Sequence, residues 1–464
     1  MPPQEKTPLV VSRSPQNPSD VVARSPALNP EAVQKAAARA GQAFREWSRT
    51  PALERANRLE AVADALSSAA EEFVDLMVRE VGKPRLEAAA EVERGIAILR
   101  YFGQQALDPV GDLLPATPGH ALLYTRRRPR GIAGLITPWN FPVAIPLWKA
   151  APALAFGNTV LLKPAPDSTG IALRLGEIFE KIMPPEVLTV ISGGGRTGRA
   201  VLEVVDVISF TGSVPVGREV SALAVERGIP FQAEMGGLNA SIVLPDSDVE
   251  RASTTIARAA MGYAGQKCTA TSRAIVVGDS RRFTDALVSA VQRLGVGDPA
   301  SDDTALGPVI TETARDRVIE SAGEARRVGG RVLVGGEALD VPGWFIAPTL
   351  VDGLPREARV LQEEVFGPIC AVIDVEDIDE AVSVSNSVPY GLVTSVFTSE
   401  LDHALRLVDQ LDTGLIRVNA PTSGVDFYAP FGGQKASGAG PREQGKVARD
   451  FYTSLHTITL TPGA

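Results

Sequence analysis

From Gly131 onward the chain alternates short apolar runs with helical stretches or turns, and no other feature constrains its fold as strongly. Gly131 to Ile136, Thr159 to Lys163, Leu188 to Ile191 and Val207 to Phe210 each read as a strand followed by a helix or a turn. That is the pattern of a parallel α/β sheet. A second series starts at Ala240 to Leu244 and continues through Arg273 to Val277, Arg331 to Val334, Ala371 to Val375, Leu392 to Phe397 and Gly414 to Asn419. Two series predict two α/β units, with a boundary at Gly236-Gly237. Ahead of them, Asn29-Pro30-Glu31 supplies an N-cap, a proline at the first helical position and an early acid. Val33, Ala37, Ala40, Phe44 and Trp47 then mark one apolar helix face. Two more helices are predicted over about Ala52 to Val81 and Lys83 to Gln105, ended by Pro109 and Gly111.

Charge and rare residues exclude several functions. A net charge of -9 and the lack of a basic stripe interleaved with aromatics argue against a nucleic-acid partner. The run Arg126-Arg127-Arg128, closed by Arg130, reads as a solvated strand edge. Two cysteines in dissimilar settings give no disulfide framework, which suits a reducing compartment. Three scattered histidines, His120, His403 and His456, offer neither a zinc site nor a histidine-based triad. Met1 to Asp20 is rich in proline and serine and lacks the apolar core of a signal peptide, so a cytoplasmic location is expected. Gly131 to Trp148 carries no charge, but Pro138, Pro142, Pro146 and Asn140 speak against a spanning helix, and no membrane partner is expected.

Of the two cysteines, Cys370 lies in an apolar strand-like run and reads as core. Cys268, in Gly265-Gln266-Lys267-Cys268-Thr269-Ala270, is flanked by small and polar residues, an address for a reactive thiol. A thiol nucleophile needs a base, and without a usable histidine that base is a carboxylate or a water relay. Glu234 ends an apolar strand and is followed by two glycines, where backbone can approach a ligand closely; a solvated turn acid is the alternative reading. Gly193-Gly194-Gly195-Arg196-Thr197-Gly198 fits the dinucleotide fingerprint, a weak signal by itself. A second loop, Phe210-Thr211-Gly212-Ser213, also joins a strand to a helix whose N-terminus could hold pyrophosphate. Lys163 adds a cation at another strand end. Asn140, between two prolines and two aromatics, either caps a turn or uses its amide on a ligand.

Taken together these stretches resemble the aldehyde dehydrogenase superfamily from about Glu31 to the C-terminus. Seven motifs carry the resemblance: Thr137 to Pro142, Lys163-Pro164, Phe210 to Ser213, Glu234 to Gly237, Gly265 to Cys268, Glu363 to Pro368 and Pro430 to Gly433. The family implies a Rossmann-like α/β cofactor domain (1-106 and 131-236), an α/β catalytic domain (237-451) and a small oligomerisation β-sheet (107-130 and 452-464). It also implies a homodimer or homotetramer, joined through a strand pair near Leu122 to Arg130 and Thr453 to Thr461. Cys268 would attack the aldehyde carbon, Asn140 and the Cys268 backbone N–H would form the oxyanion hole, and Glu234 would activate the water that hydrolyses the thioester. An acid at 234 favours hydrolysis over transfer to coenzyme A.

For NAD or NADP the resemblance places Glu364 on the nicotinamide ribose, Lys163 on the adenosine ribose and Ser213 on the pyrophosphate, with Gly193 and Gly195 on the adenine side. Ile136, Thr137, Trp139, Ala165 and Pro166 would border the same site. So would Phe210, Thr211, Gly212, Val216, Met235, Gly236 and Phe366. Where NAD-preferring relatives carry a glutamate three residues after the lysine, this chain has Pro166, so NADP is expected to be accepted and even preferred. Leu238 also departs from the usual lysine.

The small-molecule aldehyde is expected to be a carboxylated one. Pro421 to Phe427, Pro441 to Gly445 and Gly265 to Arg273 look most like the 2-oxoglutarate semialdehyde (2,5-dioxopentanoate) dehydrogenases. Family placement puts Arg94, Phe141, Trp148, Lys267, Thr269 and Phe431 along the substrate tunnel. Arg94 would grip a distal carboxylate; a solvated helix arginine is the alternative. Simple aldehydes, succinate semialdehyde, and a non-catalytic binding protein on the same fold are the competing functions.

Overall fold

The computed structural model describes residues 8–117 and 121–461; positions 1–7, 118–120 (with His120) and 462–464 lie outside it. Both predicted series form sheets. The first is six-stranded, in the order Gly438–Ala439, Phe231–Glu234, Val207–Thr211, Ile132–Ile136, Thr159–Lys163, Leu188–Val190. Its pairs are parallel except the first, where Gly438 lies opposite Glu234. The second is seven-stranded: Arg331–Val334, Thr349–Asp352, Ile369–Val375, Thr271–Val277, Asn239–Val243, Val393–Phe397, Leu415–Val418. It too is parallel apart from one antiparallel edge strand, Arg331–Val334. The interior strands of both sheets are buried along almost their whole length, whereas edge strands such as Leu188–Val190 and Leu415–Val418 are only partly buried.

Three local features differ from the sequence expectation. The helix expected over 52–81 is two, Ala52–Ser68 and Ala70–Val81, broken where Ala69 leaves helical geometry (φ -101°, ψ 12°). Ser68 donates its hydroxyl back to the Asp64 carbonyl at 2.9 Å, a bond that competes with the helix ladder and bends it. The proline- and serine-rich N-terminus contains a hairpin, Leu9–Arg13 with Val21–Pro26. It is docked by the Ser12 hydroxyl on buried Glu80, whose carboxylate also accepts the Gly170 and Ile171 N–H groups at 2.7 and 2.8 Å. The arginine-bearing strand Leu122–Pro129 is the middle of a three-stranded sheet between Thr453–Leu460 and Leu113–Leu114, not an edge. Arg126 and Arg128 are exposed, whereas Arg127 pairs with Asp450 at 2.9 Å.

Gly438–Ala439 returns from the second series to extend the first sheet, so the segment 237–451 does not stay with one sheet. The charge-free run resolves into the strand Ile132–Ile136, a turn, and the fully buried helix Ala144–Ala155. Among the described residues no helix is long and apolar enough to cross a membrane.

Asn158 joins these parts. Its carbonyl oxygen accepts the N–H groups of Arg130 (2.9 Å) and Gly131 (3.1 Å), and its amide donates to the carbonyls of Ala153 and Tyr452, each at 3.0 Å. One buried side chain thus ties the first central strand, the buried helix and the base of the C-terminal strand together. Asn158→Ala is expected to cost on the order of 3 kcal/mol of stability, because it strands several buried backbone groups. A lowered midpoint in thermal melts checks this; an unchanged midpoint would contradict it.

Candidate active site

Cys268 sits between the helix Val249–Met261 and the strand Thr271–Val277, after a turn in which Tyr263, Ala264 and Gly265 are all left-handed (φ 54°, 51° and 66°). Two of these are not glycine, so the turn is strained and must be held by its surroundings. The Tyr263 hydroxyl donates to the Val81 carbonyl at 3.2 Å, and the buried Gln266 carboxamide accepts the Ile310 N–H at 2.8 Å. A Cβ on Gly265 would collide with the Gly367 carbonyl. Asn239, at the head of the neighbouring strand, donates to the carbonyls of Cys268 and Ala270, each at 2.8 Å, and accepts the Val393 N–H at 3.2 Å. The sequence reading missed Asn239; its signal was a polar amide opening a mostly apolar, wholly buried strand.

The Cys268 thiol is half-buried, and its pKa is pushed up to about 12, first by burial and then by the carboxylates of Glu364 and Glu234. Lys267 turns to Glu87, with which it pairs at 2.8 Å. Cys370 is core, as expected, and fully buried.

Glu234 ends its strand buried, accepting the Gly433 N–H at 2.9 Å. Burial, reinforced by the charge of Glu443, raises its pKa well above the ordinary carboxylate value, against the Gly433 N–H, Lys149 and Arg442. A carboxyl so placed is a stronger proton acceptor than an exposed one.

Asn140 is buried and donates one amide hydrogen to the Gln266 carbonyl at 2.9 Å, which leaves the second for a ligand. Its own backbone carbonyl accepts from Lys83 at 2.7 Å. Lys83 is fully buried, ion-paired with Glu91, and lies 3.9 Å from the ring centre of Phe141 and 4.6 Å from that of Tyr263. The other Glu91 oxygen accepts the N–H groups of Val143 and Ala144 at 2.8 and 3.0 Å, where the buried helix begins. Lys83 and Glu91 were invisible to motif reading, since only tertiary contact brings them to Asn140.

Two cavities meet at Cys268. The larger, about 480 Å³, is lined by Trp139, Asn140, Thr211, Gly212, Ser213, Met235, Gly236, Glu364 and Phe366, among others. Ser213 caps the helix Val214–Arg227 without spending its side chain on the cap, and the buried hydroxyls of Thr137 and Thr211 have no partner. Free hydroxyls beside a helix N-terminus fit a dinucleotide phosphate. The Glu364 carboxylate packs on Gly236, where a Cβ would collide with it, and accepts the Gly237 N–H at 3.1 Å; burial raises its pKa to about 7. Phe366 is held at φ 55° and stacks edge-on against Trp139 at 5.8 Å.

Ile136, Thr137, Ala165, Pro166, Phe210 and Val216 each stand within two positions of a lining residue but do not line this cavity. Gly193 and Gly195, at the start of the helix Gly195–Leu202, are farther along the sheet. Lys163 is buried, with its pKa lowered to about 8 by burial and partly restored by Asp167. Asp167, which the sequence reading passed over, lines the cavity.

The second cavity, about 260 Å³, brings together Arg94, Phe141, Trp148, Lys267, Thr269 and Phe431 with Glu87 and Gln444. The aldehyde dehydrogenase family pattern matches the chain over residues 3–458. The chain belongs to that family. It is 38% identical to the alpha-ketoglutaric semialdehyde dehydrogenase of Bacillus subtilis, over 98% of this chain and 95% of that one. It is 36% identical to the 2,5-dioxopentanoate dehydrogenase of Saccharolobus solfataricus, over 92% and 90%. The crystal structure of an NAD-dependent aldehyde dehydrogenase from Sinorhizobium meliloti superimposes with a TM-score of 0.95 at 31% identity, covering 98% and 92%. This aldehyde dehydrogenase therefore oxidises a small-molecule aldehyde to the acid through a cysteine thiohemiacetal and thioester, with NAD or NADP.

With Glu364 raising the thiol pKa, Glu364→Gln should speed alkylation of Cys268 by iodoacetamide at pH 8 severalfold, and the wild-type rate should climb about tenfold per pH unit below the thiol pKa. Equal rates in the two proteins would remove Glu364 from the electrostatics of the thiol.

Proposed function

We propose that the substrate is a short aldehyde with a distal carboxylate, of the 2,5-dioxopentanoate type, and that Arg94 binds that carboxylate. The observation that carries this reading is Arg94 itself: it lines the tunnel, its buried Nε has no partner, and among the described residues it makes no hydrogen bond or ion pair. Lys267, the other cation there, is already neutralised by Glu87. Phe141, Trp148 and Phe431 supply apolar walls for the carbon chain. The names of the B. subtilis and S. solfataricus relatives agree with such a substrate. Succinate semialdehyde and simple aldehydes are the rival substrates.

In this proposal Cys268 passes its thiol proton to Glu234, and from there to solvent, as its sulfur adds to the aldehyde carbon, and the resulting oxyanion meets the spare Asn140 amide hydrogen and the Cys268 N–H. Lys83, bonded to the Asn140 carbonyl, keeps that amide in place. Glu234 takes a proton from the water that cleaves the thioester. When bound, the nicotinamide dinucleotide accepts the hydride. Ser213 and the helix it caps would hold its phosphates, and Glu364 and Lys163 its riboses. The outer strand Thr453–Leu460, with Leu455 55% and Leu460 48% exposed, is the surface on which a second copy would add.

Pro166 offers no carboxylate, but Asp167 does, and a 2′-phosphate beside it would be repelled. We infer that Asp167 limits the use of NADP.

Two measurements test these proposals. Steady-state kinetics on 2,5-dioxopentanoate, succinate semialdehyde and hexanal should favour the five-carbon acid. Arg94→Met should raise its KM about tenfold or more while sparing hexanal; an unchanged KM refutes the carboxylate role. Asp167→Ala should raise the NADP-to-NAD ratio of kcat/KM about tenfold, one partly screened charge contact, and a constant ratio refutes that role.

A further inference from the structure

The substrate tunnel holds a second polar group that neither the catalytic roles nor the carboxylate contact uses. Gln444 is 1% exposed, and neither its amide nitrogen nor its amide oxygen has a partner, yet the residue lines the tunnel beside Arg94 and Cys268. A buried carboxamide unpaired at both ends is costly unless a ligand completes it.

Its placement is also enforced by the backbone. Gln444 is left-handed (φ 61°), a conformation unfavourable for a glutamine. The preceding residue is locked: Glu443 and Phe431 exchange backbone hydrogen bonds, both at 2.8 Å. The Glu443 carboxylate is tied to Lys149 and, at 2.8 Å, to the Trp148 indole. On the other side the Gly445 N–H donates to the Phe427 carbonyl at 3.1 Å. Strain at one residue between two fixed neighbours aims a rigid amide into the tunnel.

We propose that Gln444 recognises a ketone oxygen next to the substrate's distal carboxylate, and so makes this enzyme selective for 2-oxo acid semialdehydes over plain ω-oxo acids. This rests on the carboxylated-aldehyde reading above. A 2-oxo carboxylate presents only acceptors. Arg94 has donors for the carboxylate, and the Gln444 amide nitrogen donates to the adjacent ketone. An arginine carries enough N–H groups to serve the carboxylate and the Gln444 oxygen together. Lys267 cannot substitute, being paired with Glu87.

The decisive comparison is between 2,5-dioxopentanoate and 5-oxopentanoate, which differ by that ketone oxygen alone. In the wild-type enzyme kcat/KM should favour the first, and in Gln444→Leu the ratio of the two values should fall about tenfold or more, the scale of one lost hydrogen bond in a dry site. Gln444→Asn tolerates the left-handed backbone but withdraws the amide by one methylene; its ratio should fall as well. A parallel loss on both aldehydes, or a constant ratio in both variants, overturns the proposal and leaves Gln444 a packing residue. If Arg94→Met still raises KM for both acids, the carboxylate reading survives that outcome. A wild-type enzyme that handles neither acid better than hexanal overturns both.

Discussion

A single buried carboxylate, that of Glu443, organises the middle of the molecule. It accepts from the Trp148 indole at 2.8 Å, from the Ser209 hydroxyl at 3.1 Å and from the Gln232 amide at 3.2 Å, and it forms an ion pair with Lys149. These partners come from the buried helix and from two adjacent strands of the cofactor-side sheet, whereas Glu443 arrives from the far end of the chain. A buried charge is tolerable only when paired and fully hydrogen-bonded, so the C-terminal segment has one place to dock. That docking carries Phe431, Gly433 and Gln444 into position, and the charge of Glu443 helps to raise the pKa of Glu234.

The nucleophile is presented by the same logic at a different point. Three left-handed residues turn the chain sharply before Cys268, and the turn survives because Asn239, Gln266 and Tyr263 are each bonded to other segments. Asn140 reaches Gln266 from the turn that precedes the buried helix, and that turn is held by Lys83, in the link between two N-terminal helices, and by Glu91, on the second of them. The site therefore depends on four separated stretches whose polar contacts leave little freedom of register.

Electrostatics at the thiol run against ionisation, with burial and the carboxylates of Glu364, Glu234 and Glu443 all favouring the protonated form. A cysteine with an ordinary pKa would be exposed to alkylation and oxidation whenever the cavities are open to solvent.

The residue order alone determined the α/β class, most strands of both sheets though not Thr349–Asp352 or Gly438–Ala439, and the first helix with its Asn29 cap, and it singled out Cys268, Glu234 and Asn140 as candidates. Parallel strands buried on both faces leave long apolar runs, and a glycine or amide at a strand end stands out against them. Tertiary structure decided what depends on distant segments meeting. It split the helix at Ala69, put Leu122–Pro129 in the middle of its sheet, and returned Gly438–Ala439 to the first sheet. It also gave Lys83, Glu91, Asn239, Asp167 and Gln444 their places at the site. Each of these is a polar residue whose meaning lies in a partner, or in a missing one, far away in the sequence. Local pattern records periodicity and backbone preference; it does not record which buried polar atoms are satisfied, because that depends on how the sheets close around them.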